Sequence, residues 1–212
     1  LAISGTYVYV GGNFTTAGGS AANYIAVWNG TSWSAVGSGM DAAVYAISFM
    51  GTDVYVGGDF TIAGGVSASR IAKWDGTNWS ALGVGVNGRV RAIAITGTNT
   101  YIGGSFGTAG GATSYYTAHW NGTSWITHVS LNNYVSSLVI SGTDLYAGGS
   151  FVSSGSGGLS CLAKYNGSSW SSLGVNRAIN TQVNSVIASG TDVYIGGYFT
   201  TAGGVSANRL AR

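Results

Sequence analysis

The sequence contains no proline, a single cysteine (Cys161) and no glutamate, since all six of its acidic residues are aspartates. Only 7% of its 212 residues are charged. A chain without glutamate and with two lysines lacks the residues that normally cover solvated helix faces, so strands and turns must build the fold. One cysteine can form neither an internal disulfide nor a zinc cluster. No apolar run approaches the roughly 20 residues that cross a bilayer, so the sequence predicts no membrane-spanning segment.

The positive charges of the chain are few and dispersed. Lys73, Lys164 and six arginines give a formal net charge of +2, with no run of like charge. A nucleic-acid interface needs a concentrated basic patch. We therefore expect no nucleic acid among the partners of the chain. The abundant residues are 37 glycines, 13 tyrosines and 7 tryptophans, together with many serines, threonines and asparagines.

Two sequence landmarks recur along the whole chain. The segment Gly-Thr-Tyr-Val-Tyr-Val-Gly-Gly-Asn-Phe begins at Gly5 and returns at glycines 51, 97, 142 and 190. The segment Trp-Asn-Gly-Thr-Ser-Trp spans 28–33 and returns at 74–79, 120–125 and 165–170. Two landmarks with one period establish tandem repeats of about 46 residues, long enough for four short strands and their turns.

Each repeat divides into four strands, which we label A to D. In the second repeat these are Val44 to Phe49, Asp53 to Val56, Arg70 to Asp75 and Asn78 to Leu82. Asn-Gly or Asp-Gly joins C to D, and both kinds of pair supply the positive φ angles that a tight hairpin turn requires. Gly-Gly ends each strand B, where backbones approach closely or take positive φ. The pattern predicts a β-propeller of four-stranded antiparallel blades.

The inventory of strands is incomplete at both ends. It contains five A, five B, five C and four D strands, in repeats near 1–42, 43–88, 89–133, 134–181 and 182–212. We expect one five-bladed propeller domain whose last blade lacks its outer strand; the alternative is a larger parent protein that closes with six to eight blades. Residue 1 falls within a strand A and the chain stops before the fifth strand D. We therefore expect the chain to be a fragment of a longer protein.

The repeats resemble the kelch family of β-propellers. The resemblance rests on the apolar strand, the Gly-Gly pair and a tryptophan at constant spacing, which is Trp33, Trp79, Trp125 and Trp170. The long loop between strands B and C and the Asn-Gly-Thr-Ser turn depart from the usual kelch pattern. In these features the chain is more similar to repetitive propellers of secreted bacterial surface proteins.

Kelch-like propellers include the galactose oxidases, whose copper is held by two histidines and two tyrosines, one cross-linked to a cysteine. This chain has two histidines, many tyrosines and Cys161. However, His119 and His128 fall on adjacent strands of one blade, whereas an axial copper site draws ligands from several blades. The sequence therefore predicts no metal, no cofactor and no copper chemistry.

A hydrolase would need a pair of carboxylates. Turn positions account for Asp53, Asp75, Asp144 and Asp192, which leaves Asp41 and Asp59 as the only pair available for acid–base catalysis. A calcium site needs clustered carboxylates, and the sequence contains no close run of aspartates. We predict no catalytic residues.

The candidate ligand-binding residues follow the Gly-Gly pairs, and each precedes a phenylalanine. They are Asn13, Asp59, Ser105, Ser150 and Tyr198. Two interpretations are open. In the first, the row forms near-equivalent subsites for a carbohydrate or a peptide. In the second, each phenylalanine packs beneath its own loop and the row binds nothing. The paired tryptophans have the same two interpretations.

The sequence therefore predicts a non-catalytic, secreted or cell-surface propeller for adhesion or recognition. Its partner would be a glycan or an extracellular protein, bound through loops on one face. The alternative is a structural subunit of an extracellular fibre, sheath or appendage that packs against copies of itself. An enzyme of unknown type is the third hypothesis.

Overall fold

The computed structural model describes residues 1–128, 131–152, 160–173 and 179–212. These residues form 27 strands and no helix. The main sheets are five antiparallel blades that follow one another along the chain.

Each complete blade has its strands in the spatial order A, B, C, D. Blade 1 contains β1 (Ala2–Ser4), β2 (Tyr7–Gly11), β5 (Ile25–Trp28) and β6 (Trp33–Ala35). Blade 2 contains β7 (Val44–Met50), β8 (Asp53–Gly58), β11 (Ile71–Trp74) and β12 (Trp79–Ala81). Blade 3 contains β13 (Arg89–Thr96), β14 (Asn99–Ser105), β17 (Thr117–Trp120) and β18 (Trp125–Thr127). Blade 4 contains β19 (Val135–Ser141), β20 (Asp144–Val152), β21 (Ser160–Tyr165) and β22 (Trp170–Ser172). Blade 5 contains β23 (Val183–Ser189), β24 (Asp192–Gly197) and β27 (Leu210–Ala211).

This inventory confirms the predicted all-β propeller, including the fifth blade without a described strand D. It also adds a two-stranded hairpin to the B–C loop of four blades, which the sequence reasoning missed. The pairs are β3 (Thr16–Ala17) with β4 (Ser20–Ala21), β9 (Ile62–Ala63) with β10 (Val66–Ser67), β15 (Thr108–Ala109) with β16 (Ala112–Thr113), and β25 (Thr201–Ala202) with β26 (Val205–Ser206). The signal was present, because Gly18 and Gly19 both take positive φ, 57° and 84°, as a two-residue Gly-Gly hairpin requires.

The C–D turns differ from the prediction. Trp28 pairs with Trp33, so the loop has four residues, and within the Asn-Gly step only Gly30 takes positive φ, 98°. The Asn29 side-chain oxygen instead accepts hydrogen bonds from the amides of Thr31 at 2.9 Å and Ser32 at 2.8 Å. In place of the expected tight hairpin there is a four-residue loop, in which the glycine of the pair supplies the positive φ and asparagine acts through its side chain.

Four hydrophobic clusters hold the blades together, and each crosses one boundary between neighbouring blades. At the boundary between blades 2 and 3, Ile71 of strand C packs in one cluster with Val90 and Ile102. In blades 1 to 4 the first glycine of the Gly-Gly pair permits this approach. A methyl group at Gly103 would lie 2.6 Å from the Val135 Cγ1 of the next blade. Close approach, and not positive φ, is therefore the reason for glycine at this position.

The outer faces of the two terminal blades are apolar and exposed. Leu1 of blade 1 is 79% exposed, although its counterpart Ile47 packs against the preceding blade. Leu210 of blade 5 is 68% exposed, whereas its counterpart Ile71 is fully buried. The described residues thus cover each internal blade on both faces and each terminal blade on one.

Candidate binding face

The five predicted ligand-binding residues lie at one end of the strands, one in each blade. Strand B ends there and strand A begins there, as the pairing of Val44 with Gly58 shows in blade 2. We call this end, with its B–C loops and its D–A connections, the B–C face. This topology places Asn13, Asp59, Ser105, Ser150 and Tyr198 at one end of the strands, and their role in ligand binding stays a prediction.

A β-bulge at the start of strand A shapes the B–C face in blades 2 to 5. The pairing register shifts between Val44 and Ala46, and again at the equivalent positions of the next three blades. A bulge leaves one residue unpaired and turns its side chain away from the ladder. In blades 2 and 3 the bulged residues are Tyr45 and Arg91, and both reach across to the following blade.

Asp59 is the centre of a contact between blades 2 and 3. Its carboxylate accepts a hydrogen bond from Arg89 Nε at 2.9 Å and another from the Tyr45 hydroxyl at 3.2 Å. Arg70 donates a hydrogen bond to its main-chain carbonyl. The hydrogen bond from Arg89 holds the pKa of Asp59 below its ordinary value, against the opposing effect of burial. Asp59 is therefore ionised and already has protein partners.

Arginine–tyrosine stacks cross two successive boundaries on this face. The Arg89 guanidinium lies 4.6 Å from the centre of the Tyr45 ring, between blades 3 and 2. The Arg91 guanidinium lies 5.1 Å from the centre of the Tyr134 ring, between blades 3 and 4. Arg91 also donates to the Ser105 hydroxyl at 3.2 Å. Partly solvated contacts of this kind contribute about 0.5–1 kcal/mol each.

These residues form a continuous surface across blades 2 to 4, which we call the Arg–Tyr strip. It consists of Tyr45, Asp59, Arg89, Arg91, Ser105 and Tyr134. The sequence reasoning found only two of its members. The sequence did contain a signal for the other four. Tyr45 and Arg91 occupy one position of the repeat, and Arg89 and Tyr134 occupy another, so arginine and tyrosine recur at both positions.

The remaining predicted residues flank the strip. Asn13 in blade 1 is exposed, and Tyr198 in blade 5 is 58% exposed. The amide of Ser150 in blade 4 donates to the Tyr134 carbonyl at 3.1 Å. The phenylalanines that follow these residues in blades 2 to 5 are buried, as the packing interpretation expected.

A second row of polar residues organises the D–A connections, and the sequence reasoning assigned it no such role. Each residue accepts a hydrogen bond from the main-chain amide 20 residues later, at the start of the B–C loop or, in blade 4, at the end of β20. They are Asp41, Asn87, Asn132 and Asn180. Burial alone would raise the pKa of Asp41, but hydrogen bonds from Ile62 and Thr61 outweigh it and lower the pKa. The carboxylate pair considered for a hydrolase is thus engaged in two separate structural contacts.

The two histidines meet at the boundary between blades 3 and 4. His119 Nδ1 and His128 Nε2 are 3.1 Å apart, and the His119 ring stacks on Tyr101 at 4.8 Å. The His128 ring packs edge-on against Tyr165 of blade 4 at 4.8 Å. Burial lowers the pKa of His128 to about 4, with a smaller contribution from His119. Within the described ranges, no group of three or more histidine, cysteine, aspartate or glutamate residues could hold a metal ion.

Known proteins support the assignment of the fold. The family model of the Rax2 C-terminal beta propeller domain matches residues 50–187, which is more than half of the chain. The chain belongs to this family. No curated protein matches the chain.

Two solved structures resemble this Rax2-type propeller. The computationally designed protein Ika8 superposes with a TM-score of 0.54 at 16% identity, over 92% of this chain and 54% of that chain. The designed protein Ika4 gives a TM-score of 0.48 at 17% identity, over 75% of this chain and 88% of that chain. The chain thus spans about half the length of Ika8, and the likeness concerns the fold alone. Among the residues the structure describes, no helix is long and apolar enough to cross a membrane.

Proposed function

We propose that this Rax2-type propeller is a non-catalytic, secreted or cell-surface recognition domain that binds a glycan or an extracellular protein through its B–C face. The observation that carries the proposal is the Arg–Tyr strip with its exposed flanks. Tyr45 is 45% exposed, and guanidinium and carboxylate groups surround its hydroxyl and ring. Aromatic rings beside fixed hydrogen-bonding groups are suited to sugars and to protein side chains alike.

The contacts within the strip prepare it for binding. Because Asp59, Arg89 and Tyr45 restrain one another, their rotamers are fixed before a ligand arrives, which lowers the entropic cost of binding. The ligand would contact the exposed sides of Tyr45 and the two arginines, and also Asn13, Ser150 or Tyr198 on neighbouring blades. The similarity of the B–C loop and the Asn-Gly-Thr-Ser turn to repetitive propellers of secreted bacterial surface proteins, together with the small number of charges, also supports an extracellular role.

The test is binding of the purified chain to an array of glycans and to a panel of extracellular proteins. Asn13→Ala and Tyr198→Ala remove exposed side chains, so they should weaken binding without lowering stability. Thr52→Ala, at an exposed turn on the opposite end of the strands, is the matched control. Binding that Thr52→Ala weakens as much as the other two variants would contradict the proposal.

The second candidate function is assembly with copies of the same chain, and the open faces of blades 1 and 5 favour it. Leu1 and Ile3 stand where Ile47 and Phe49 contact the preceding blade. Ile187 stands where Val139 contacts the following blade. The two faces are the complementary halves of an interface that the protein already uses four times, so they could join head to tail.

Sedimentation velocity over a range of concentrations tests this candidate. Association should weaken in Ile3→Asp and in Ile187→Asp, but not in Val84→Asp, which places the same charge on an exposed apolar residue of a D–A connection. A monomer at all concentrations would remove the assembly function and leave the recognition function intact.

A further inference from the structure

The Arg–Tyr strip contains two versions of one arrangement, at the boundary between blades 2 and 3 and at the boundary between blades 3 and 4. Each version combines the residue after the Gly-Gly pair, the bulged residue of the same blade and a residue at the start of strand A in the next blade. The first version is Asp59, Tyr45 and Arg89, and the second is Ser105, Arg91 and Tyr134. Both belong to blades 2 to 4, which described residues cover on both faces.

The first version contains its own carboxylate. The Arg89 guanidinium donates through Nε and Nη2 to the two carboxylate oxygens of Asp59. The Tyr45 ring lies against this guanidinium, and its hydroxyl donates to the same carboxylate. Arginine binds a carboxylate in this way because the two planar groups match in shape and charge. The guanidinium between blades 2 and 3 is thus occupied by a group of the protein itself.

The second version exchanges the arginine and the tyrosine and has serine in place of the aspartate. Arg91 Nε donates to the Ser105 hydroxyl, and the guanidinium lies against the Tyr134 ring. All three residues are partly exposed. No described residue accepts a hydrogen bond from the Nη groups of Arg91, and no described carboxylate forms an ion pair with it. Most N–H donors of an arginine are on its Nη groups, so they remain available to a ligand.

The other described cations of blades 2 to 4 have aspartate partners. Both lysines lie at the opposite end of the strands and form ion pairs with aspartates of strand B. At the B–C face, Arg70 and Arg89 both contact Asp59. Among the lysines and arginines described in these blades, Arg91 alone contacts no aspartate. The B–C face therefore offers one fixed positive group that the protein leaves without a counter-ion.

We propose that Arg91, together with Ser105 and Tyr134, binds the carboxylate of an acidic glycan that contains uronate. The ligand carboxylate has between blades 3 and 4 the part that the Asp59 carboxylate has between blades 2 and 3. It accepts hydrogen bonds from the Nη groups of Arg91, while the Ser105 hydroxyl and the Tyr134 ring hold the guanidinium in place. This inference rests on the recognition function proposed for the B–C face and adds the chemical class of the ligand.

The composition of the Arg–Tyr strip favours a sugar over an acidic segment of a protein. Its members are arginine, tyrosine, serine and aspartate, and none of them has an aliphatic side chain. Sugars present hydroxyls to such polar groups and C–H surfaces to aromatic rings, whereas the core of a protein–protein interface is more apolar. Tyr45, one blade away from Tyr134, offers an exposed ring to a further sugar unit.

Isothermal titration calorimetry of the whole chain with matched sugars tests the inference. The probes are trimers of galacturonate and of glucuronate, each compared with its methyl ester, which has the same rings without the charges. At least one acid should bind saturably, and its ester should bind about 10- to 100-fold more weakly, because hydrogen bonds to a charged group are lost. This comparison needs no variant of the protein.

Variants of the chain locate the bound carboxylate. Ser105→Asp supplies Arg91 with the internal carboxylate that Arg89 already has, so it should abolish binding of the acid. Ser105→Asn has the same size without the charge and should weaken binding much less. Arg91→Gln and Lys164→Gln each remove one positive charge. The first should weaken binding about 10- to 100-fold, and the second, at the opposite end of the strands, should leave binding unchanged.

The outcomes separate this inference from the recognition function. Equal binding of acids and esters, or binding of neutral glycans alone, would overturn the inference and leave the recognition function intact. The inference would also fail if neither acid bound up to about 1 mM, or if Arg91→Gln and Lys164→Gln bound the acid equally well. A poly-aspartate peptide that displaced the acid and bound more tightly would assign the site to a protein and overturn the glycan. Binding of no glycan and no protein would remove the recognition function as well.

Discussion

Strand C of blade 2 and strand C of blade 5 present the same apolar position to two different surroundings. Ile71 in blade 2 is fully buried against blade 3, whereas Leu210 in blade 5 is 68% exposed. The local sequences are similar, and so are the strand pairings with strand B. The difference shows that a blade obtains its core from its neighbour and does not contain one.

The glycines show the same contrast. Gly103 in blade 3 lies against the Val135 side chain of blade 4, but Gly196 at the equivalent position of blade 5 has only the Arg209 carbonyl, at 3.9 Å. Both glycines belong to the same repeated pair. The repeat therefore keeps glycine at this position even in blade 5, where no described residue of a following blade requires it.

The largest expected effect is the difference in stability between truncating Ile71 and truncating Leu210, which are equivalent residues of strand C. Ile71→Ala should lower the free energy of unfolding by about 2–5 kcal/mol, because it opens a cavity in the cluster between blades 2 and 3. Leu210→Ala should change it by less than about 0.5 kcal/mol. Urea unfolding of both variants measures the difference. Equal losses would mean that blade 5 is covered in solution.

The contribution of the boundary between blades 3 and 4 to stability should depend on pH. The boundary between blades 2 and 3 should show no such dependence, because Leu82 occupies there the repeat position of His128. Because the folded pKa of His128 is about 4, below its ordinary value of 6.5, the unfolded chain binds more protons between these values. Stability should therefore fall as the pH drops from about 6.5 to 4, by at most about 3 kcal/mol from this group.

Unfolding of the wild type and of His128→Leu at several pH values tests this prediction. The variant should lose less stability on acidification, since the aspartates titrate in both proteins and cancel in the comparison. Parallel pH profiles for the two proteins would show that His128 is protonated without cost in the folded state.

The smallest effect is expected for substitutions of the two equivalent glycines, Gly103 and Gly196. Gly103→Ala should destabilise the chain by about 1–3 kcal/mol, since the new methyl group overlaps Val135. Gly196→Ala should be neutral or stabilise it by up to about 1 kcal/mol, because alanine restricts the unfolded chain. Thermal melting of the two variants under one condition provides the measurement. A loss in Gly196→Ala as large as that in Gly103→Ala would refute the explanation by interblade contact.

The fold could be predicted from the sequence because its constraints are local and repeated. Gly-Gly, the Asn-Gly or Asp-Gly step and the tryptophan of strand D occupy the same positions in every complete repeat, so each strand had several independent landmarks. The C–D turn is longer than the predicted tight hairpin, because the Asn29 side chain closes a four-residue loop.

The candidate site was less accessible to sequence reasoning, because its contacts join residues of different repeats. Asp59 was proposed as a free ligand group, yet its partner Arg89 lies 30 residues further along the chain. No local pattern reveals which side chain of one blade faces the next. The sequence placed His119 and His128 on adjacent strands of one blade, but the contact of His128 with Tyr165 depends on how blades 3 and 4 pack.

Hydrogen exchange of the backbone amides tests the central claim, that each blade is stabilised by its neighbours. Strand B of blade 3 (β14) is covered on both sides, and strand B of blade 5 (β24) on one. The account predicts markedly slower exchange in β14 than in β24, under conditions where exchange occurs through local opening. Equal protection of the two strands would contradict it.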